Sequence, residues 1–258
     1  MKDKIYLIFN LVLKKINLIT INKMILNQKH IILLIGIFLI ILFLQNAKFK
    51  QIKTQRNVFF DLGANKGDSI QNFLGLIPRA QGGSFKGQIP EYKMREKWII
   101  YAIEGNSAFD KQLFEMKKSL SNTHHEIILL NGTVGWTYDG TITFYLDKAN
   151  RLPDQLGSSV KDNHIEVRLS NKTKETHPCV DMSRLIKQYD KDDFIVVKMD
   201  IEGSEFDLLL HFIKDNVYDY IDFIGVEFHW MDLSPYQNFK EFYSLLFKLK
   251  NVIEFNWA

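Results

Sequence analysis

The sequence of 258 residues has a single cysteine, Cys179. That excludes an intrachain disulfide, so the fold must be held by its hydrophobic core. It also excludes the usual structural zinc sites, which need at least two thiolates. Beside Pro178, the lone thiol reads as a small buried hydrophobe. Internal repeats are missing, and so is low-complexity sequence apart from one apolar run near the N-terminus. A dominant charge of one sign is missing too: 33 Lys and Arg stand against 30 Asp and Glu, interleaved through the chain, for a net charge of +3. Without a basic stripe, nucleic acid is not an expected partner. What is present is ordinary for a globular protein: 46% hydrophobic and 24% charged residues exclude a largely disordered or collagen-like chain. The length fits one domain of about 200 residues plus an extension.

The extension is the apolar run. Residues 31–44 are unbroken apolar side chains, and the uncharged stretch continues through Ala47 before Lys48. A spanning helix needs about 20 residues, with a lower limit near 17, so residues 30–47 are expected as a short transmembrane helix or signal anchor that suits a thin internal membrane. A cleaved signal peptide and a buried core helix are the alternatives; a core helix should show a polar face, and this run has none. Residues 1–29 form a basic N-terminal segment. Residues 48–56, with Lys48, Lys50, Lys53 and Arg56, form a basic linker suited to a membrane surface. The Lys and Arg count on the two sides is close to even. The expected disposition is a single-pass endomembrane protein of the ER or Golgi, with a cytosolic N-terminus and a lumenal catalytic domain. The sequons at Asn131 and Asn171 are compatible with that placement.

From residue 57 to residue 258, strand-like and helix-like runs alternate, which signals an α/β fold with a mostly parallel, doubly wound sheet and helices on both faces. Strands are expected at 57–62, 98–104, 126–130, 194–200, 221–229 and 252–255, and helices at 68–76, 107–120, 181–189, 204–214 and 239–248. Near 134–147, an Asp139-Gly140 turn between alternating β-formers predicts a hairpin. Residues 148–178 are polar with few apolar anchors, and are expected as a loop insertion.

In an open α/β sheet, ligands bind at the carboxyl ends of the strands, and polar residues gather there. Asp61 ends the first strand, Glu104 the second; Asp200 and Glu202 follow the buried strand, and Glu227 and His229 end the next. The turn Asp61-Leu62-Gly63-Ala64-Asn65-Lys66-Gly67 supplies glycines where the backbone must bend sharply. Glu104 is placed to accept both hydroxyls of a ribose. A dinucleotide site wants Gly-x-Gly-x-x-Gly, and here Asn65 holds the middle position. Asp61 and Asp68 flank the turn, and negative charge suits the ammonium and sulfonium of S-adenosyl-L-methionine better than a diphosphate. A P-loop is excluded by the lack of Gly-Lys-Ser/Thr.

These residues resemble the FkbM-type methyltransferase family, a Rossmann-like class I branch of the S-adenosylmethionine-dependent enzymes. Four segments between residue 57 and about residue 230 carry the resemblance: residues 60–67; Tyr101-Ala102-Ile103-Glu104-Gly105-Asn106; Asn131 to Trp136 leading into Asp139-Gly140-Thr141; and Val197-Lys198-Met199-Asp200-Ile201-Glu202-Gly203-Ser204-Glu205-Phe206. It implies a cofactor site at Asp61, Gly63, Ala64, Asn65, Gly67, Glu104, Gly105 and Asp200, with the acceptor approached from the Asp200-Ile201-Glu202 turn. It also implies O-methylation of a sugar or other small hydroxyl-bearing molecule, so a small-molecule or glycan acceptor is the expected partner, beside the membrane.

Methyl transfer to an alcohol needs the reacting atoms held about 3 Å apart and a base for the proton. His229 is the first expectation for that base, since its ordinary pKa lies near neutrality; Asp200 and Glu202 come second. Asp200, Glu202, Glu205 and Glu227 with His229 can also be read as an oxygen-rich metal site. Glu205 more simply favours a helix dipole, and no metal is assigned. Trp136, Phe144 and Tyr145 are read as core or as a sugar-binding face. The alternative to an enzyme is a membrane-tethered binding protein that keeps the fold without activity.

Overall fold

The computed structural model describes residues 10–12, 14–15, 35–39, 54–77, 88–150, 155–229 and 252–254. The chain divides into two units, Met1–Thr54 and Gln55–Ala258. In the first, the described residues include short helical stretches, 35–39 among them. Among the described residues no helix is long and apolar enough to cross a membrane. Most of the expected span at 30–47 lies outside them, as does the expected helix at 239–248.

In the second unit the strands are β1 (Asn57–Leu62), β2 (Trp98–Glu104), β3 (Glu126–Asn131), β4 (Val134–Trp136), β5 (Gly140–Tyr145), β6 (Lys174–Asp181), β7 (Phe194–Met199), β8 (Phe223–Val226) and β9 (Val252–Glu254). The described helices are α1 (Asp68–Phe73), α2 (Glu91–Met94), α3 (Asp110–Ser119), α4 (Ile165–Leu169), α5 (Met182–Ile186) and α6 (Glu205–Lys214). The main sheet runs β3-β2-β1-β7-β8-β9, and every pairing in it is parallel. Strand order reverses between β1 and β7, the switch point where an open α/β sheet leaves a crevice.

The strands are apolar almost without interruption because both faces of the sheet are covered. With a side-chain period of two, Val58, Phe60, Leu62, Ile195, Val197 and Met199 face one way and pack on Met182 and Ile186 of α5 and on Phe206, Leu209 and Phe212 of α6. Phe59, Trp98, Ile100 and Val196 face the other way, onto Ile70 and Phe73 of α1 and Leu113 and Met116 of α3. Each large side chain so buried contributes about 1.5–3 kcal/mol. Exposed pairs such as Arg95 with Glu91 add roughly 0–1 kcal/mol each, so the two apolar layers decide the fold.

Two expectations are corrected. There is no hairpin at 134–147: β4 and β5 do not pair with each other but flank β6, in the order β4-β6-β5. β4 runs parallel to β6 and β5 antiparallel to it. The reason lies at the turn. The Asp139 carboxylate is held by Arg184 in two hydrogen bonds of 2.5 and 2.7 Å and also accepts the Asp181 N–H at 3.0 Å. The turn is therefore fastened to the end of β6, and Val134 of β4, Phe144 of β5 and Cys179 of β6 bury in one cluster that keeps β6 between the other two. Residues 148–178 are likewise not all loop, since they contain α4 and most of β6. Pro178 disguises β6, because it cannot donate to a ladder. It is tolerated because it pairs with Thr141 of β5 on one side, whereas pairing with β4 begins only at Cys179.

Candidate active site

The carboxyl ends of β1, β2 and β7 open into a cavity of about 450 Å³, within the range of roughly 300–1,000 Å³ usual for small-molecule sites. Its wall includes Gly63, Asn65, Glu104, Gly105, Thr133, Phe144, Asp200, Glu202 and Glu227.

The glycine-rich turn forms one side. Gly63 and Ala64 both donate their N–H to the Ile103 carbonyl, at 3.0 and 3.1 Å, which draws the turn onto β2. Gly63 has φ 74°, and a Cβ there would stand 1.8 Å from the Asp200 carbonyl oxygen, so no side chain fits. Asn65, at φ 49°, occupies a left-handed conformation that asparagine tolerates better than most residues. That is why the middle position of the turn can do without glycine. Glu104 closes the turn from below. Its Oε2 accepts the Asn65 N–H and its Oε1 the Asn106 N–H, each at 2.7 Å, which leaves a second lone pair on each oxygen. Burial pushes its pKa from 4.5 up to about 7, against the pull of those two N–H groups.

The floor is charged. Asp61 and Lys198 are neighbours in the β1·β7 register and point to the same face. Lys198 Nζ donates to the Gly63 carbonyl at 2.9 Å and lies 3.2 Å from Asp200 Oδ2 and 3.4 Å from Asp61 Oδ1. Asp61 is fully buried and accepts a hydrogen bond from Ser69 Oγ of α1. Burial works against both charges. It raises the Asp61 pKa, whereas at Lys198 the carboxylates of Asp200 and Asp61 outweigh burial and hold the ammonium pKa above its ordinary value.

The far side is the turn after β7. Glu202 takes the left-handed region at φ 54°, a strained conformation for a residue with a side chain. It is held there by Ser159 Oγ, which donates to the Glu202 carbonyl at 2.6 Å. The buried Glu205 carboxylate accepts the Ile201 N–H at 2.9 Å and the Gly203 N–H at 3.0 Å. Glu205 thus folds the turn rather than merely favouring a helix dipole. Glu227 lines the cavity, and among the described residues its carboxylate has no hydrogen bond or ion pair. Burial first, and Asp200 next, push its pKa up to about 7.

Of the expected residues, Gly63, Asn65, Glu104, Gly105, Asp200 and Glu202 face the cavity. Asp61 lies beneath its floor. Ala64 packs into the core, and Gly67, at φ 84°, caps α1. His229 stands behind Glu202: its Nε2 is 3.2 Å from Glu202 Oε2, and its Nδ1 is 3.0 Å from Glu205 Oε1. Although burial lowers its pKa, Glu205 and Glu202 raise it to about 10. The ring is pinned between carboxylates. Phe144 reaches the cavity and packs its ring on Gly105, while Trp136 packs in the small sheet's own cluster.

Sequence reasoning missed two residues. Lys198 carried a signal, since a lysine inside the buried run Ile195 to Met199 must have charged partners. His164 carried none. It sits in the supposed loop insertion, yet its Nε2 reaches within 3.0 Å of Glu202 Oε2. Gln155, Leu156, Ser158 and Val160 of the same segment line the cavity.

A family model described as the methyltransferase FkbM domain matches residues 61–251. No curated protein and no solved structure matches the chain.

A buried carboxyl with a raised pKa stabilises the fold fully below its ordinary pKa of 4.5, and that contribution is lost as pH rises through about 7. Urea unfolding of wild type and Glu104→Gln should therefore show the wild type losing on the order of 3 kcal/mol relative to the variant between about pH 4.5 and about pH 8. A difference that stays flat with pH would contradict this picture of Glu104.

Proposed function

The chain belongs to the FkbM methyltransferase family, and from that premise we propose that it transfers a methyl group from S-adenosylmethionine to a hydroxyl of a sugar or other small acceptor. The observation that carries the reading is the charge of the cavity. Five carboxylates line it, Asp68, Glu104, Asp200, Glu202 and Glu227, against two lysines, Lys66 and Lys198. Lys66 lies 3.6 Å from Asp68 and Lys198 3.2 Å from Asp200, so both lysines are neutralised locally. What remains is Glu104 and Glu227, each partly ionised near neutral pH, and their negative charge favours a cation such as the sulfonium donor over a diphosphate.

In this reading the free lone pairs of Glu104 take the ribose hydroxyls, and the glycine turn lets the cofactor approach the backbone. The acceptor enters from the side of Asp200 and Glu202. Its oxygen attacks the methyl carbon as the carbon–sulfur bond breaks, leaving a neutral thioether, and the hydroxyl proton passes to a base. The assigned base is Glu227, because it faces the cavity with its carboxylate uncommitted among the described residues. His229, Asp200 and Glu202, the sequence expectations, are each engaged by other groups. Their part is to shape the acceptor side.

The apolar run at 31–44 anchors this chemistry to a membrane, with the domain on the lumenal side. Support comes from the sequence and from the exposure of the Asn171 sequon.

Calorimetric titration of the whole chain should give one S-adenosylmethionine site, lost in Gly63→Arg; a folded wild-type chain that does not bind would sink the proposal. Once radiolabelled methyl transfer to fractionated glycans, lipids and metabolites identifies the acceptor, Glu227→Gln should lower kcat by about 10²-fold or more with cofactor affinity unchanged. Full turnover by that variant would remove Glu227 from the role. For the anchor, the chain made in eukaryotic cells should shift in mobility on glycosidase treatment, and Asn171→Gln should abolish the shift; an unglycosylated wild-type chain would contradict the lumenal placement.

A further inference from the structure

Three separate segments meet on the acceptor side of the cavity: the turn after β7 with Asp200 and Glu202, the residues after β8 with His229, and the residue before α4, His164. Both imidazoles aim at one atom. His164 Nε2 lies 3.0 Å and His229 Nε2 3.2 Å from Glu202 Oε2, with ring centroids 6.1 Å apart. Asp200 completes the group: one ligand atom each from Asp200, Glu202 and His229 lie within 4.8 Å of one another.

The far sides of the two rings match as well. His229 Nδ1 is hydrogen-bonded to Glu205 Oε1 at 3.0 Å. His164 Nδ1 lies 3.0 Å from Glu166 Oε2, in ion-pair range though not aligned as a hydrogen bond. A histidine that gives one N–H to a carboxylate turns a lone pair outward at its other nitrogen, the arrangement by which proteins orient metal-ligating histidines. Ligand atoms bonded at about 2.0–2.2 Å to one cation lie up to roughly 4.4 Å apart around it, close to the spread of the Asp200, Glu202 and His229 atoms.

We propose that Asp200, Glu202 and His229 bind one divalent transition-metal cation. One imidazole with two carboxylates suits Mn²⁺, Fe²⁺, Co²⁺ or Zn²⁺ rather than Mg²⁺ or Ca²⁺, which prefer all-oxygen shells. Glu205, on Nδ1 of His229, and His164, on Oε2 of Glu202, act as positioning residues. If the methyltransferase reading holds, the cation faces the acceptor, because Asp200 and Glu202 line the cavity, and it can hold the acceptor's hydroxyl. Binding of the cation does not depend on that reading.

The test titrates the metal-stripped whole chain with Co²⁺, followed by calorimetry and visible absorption. One ion per chain is expected. His229→Ala should weaken binding by at least about tenfold, and Glu205→Gln, which loosens both Nδ1 of His229 and the turn that carries Glu202, by about 10–100-fold. In the wild type, substoichiometric Mn²⁺ should broaden the ring resonances of His164 and His229 first among the seven histidines. A folded wild-type chain that binds no cation overturns the proposal and leaves the cluster as imidazolium–carboxylate pairs; so does binding that the His229 substitution does not change. S-adenosylmethionine titrated into the same samples separates the two readings. Cation binding without cofactor binding fells the methyltransferase reading alone, and the reverse fells the metal site alone.

Discussion

A lysine ammonium that is nearly out of contact with water, Lys198, sets the terms for everything around the cavity. An unpaired charge at that depth costs several kcal/mol, and removing one partner of a buried pair typically costs about 3–5 kcal/mol. The strand ends must therefore bring it oxygens: the Gly63 carbonyl, Asp61 and Asp200. These belong to the glycine turn, to β1 and to the turn after β7. One side chain thus fastens the three pieces of backbone that bound the cavity, and Ser69 links α1 to the same cluster through Asp61. Apolar residues of similar volume would hold the sheet as well or better. What they would not do is fix the carbonyl of Gly63 and the carboxylate of Asp200 at the mouth of a binding site.

The strain in the turn after β7 follows from the same arrangement. Once Asp200 is tied to Lys198, the chain has four residues, 201–204, in which to start α6. It does so by placing Glu202 at φ 54° and Gly203 at φ 96°. The Glu205 carboxylate and Ser159 hydroxyl offset that strain, and the result points the Glu202 side chain at His164 and His229. The segment before α4 is therefore part of the site's construction, although it is polar and irregular.

The central sheet was legible in the sequence because strands covered on both faces must be apolar at nearly every position, and β1, β2, β3 and β7 are, with Lys198 the one charge set inside β7. The tips were legible for the complementary reason: Asp61, Glu104, Asp200 and Glu227 break those runs where solvent and ligand begin. The small sheet was not legible. β6 carries Lys174, Glu175, His177 and Pro178, and what joins it to β4 and β5, the shared cluster of Val134, Phe144 and Cys179 and the Arg184–Asp139 contact, brings together residues far apart in the chain. An Asp-Gly pair signals a turn, but not which strand the chain meets after it. His164 was illegible on the same ground, since only the folded chain brings it to Glu202. The role of Glu205 was half visible, as an acidic residue in a first helical turn whose actual partners are the N–H groups of the preceding turn.

The proposed binding of S-adenosylmethionine depends on the Lys198 cluster, and one variant isolates that dependence. Asp61→Asn with Lys198→Met removes the tie to Gly63 and takes away both charges together, so the core need not hold an unpaired Asp61. Calorimetric titration of this folded double variant with S-adenosylmethionine should show affinity at least tenfold below wild type, a loss of about 1.4 kcal/mol. Affinity within about twofold of wild type, roughly 0.4 kcal/mol, would contradict the claim that this buried ion cluster holds the site in its binding shape.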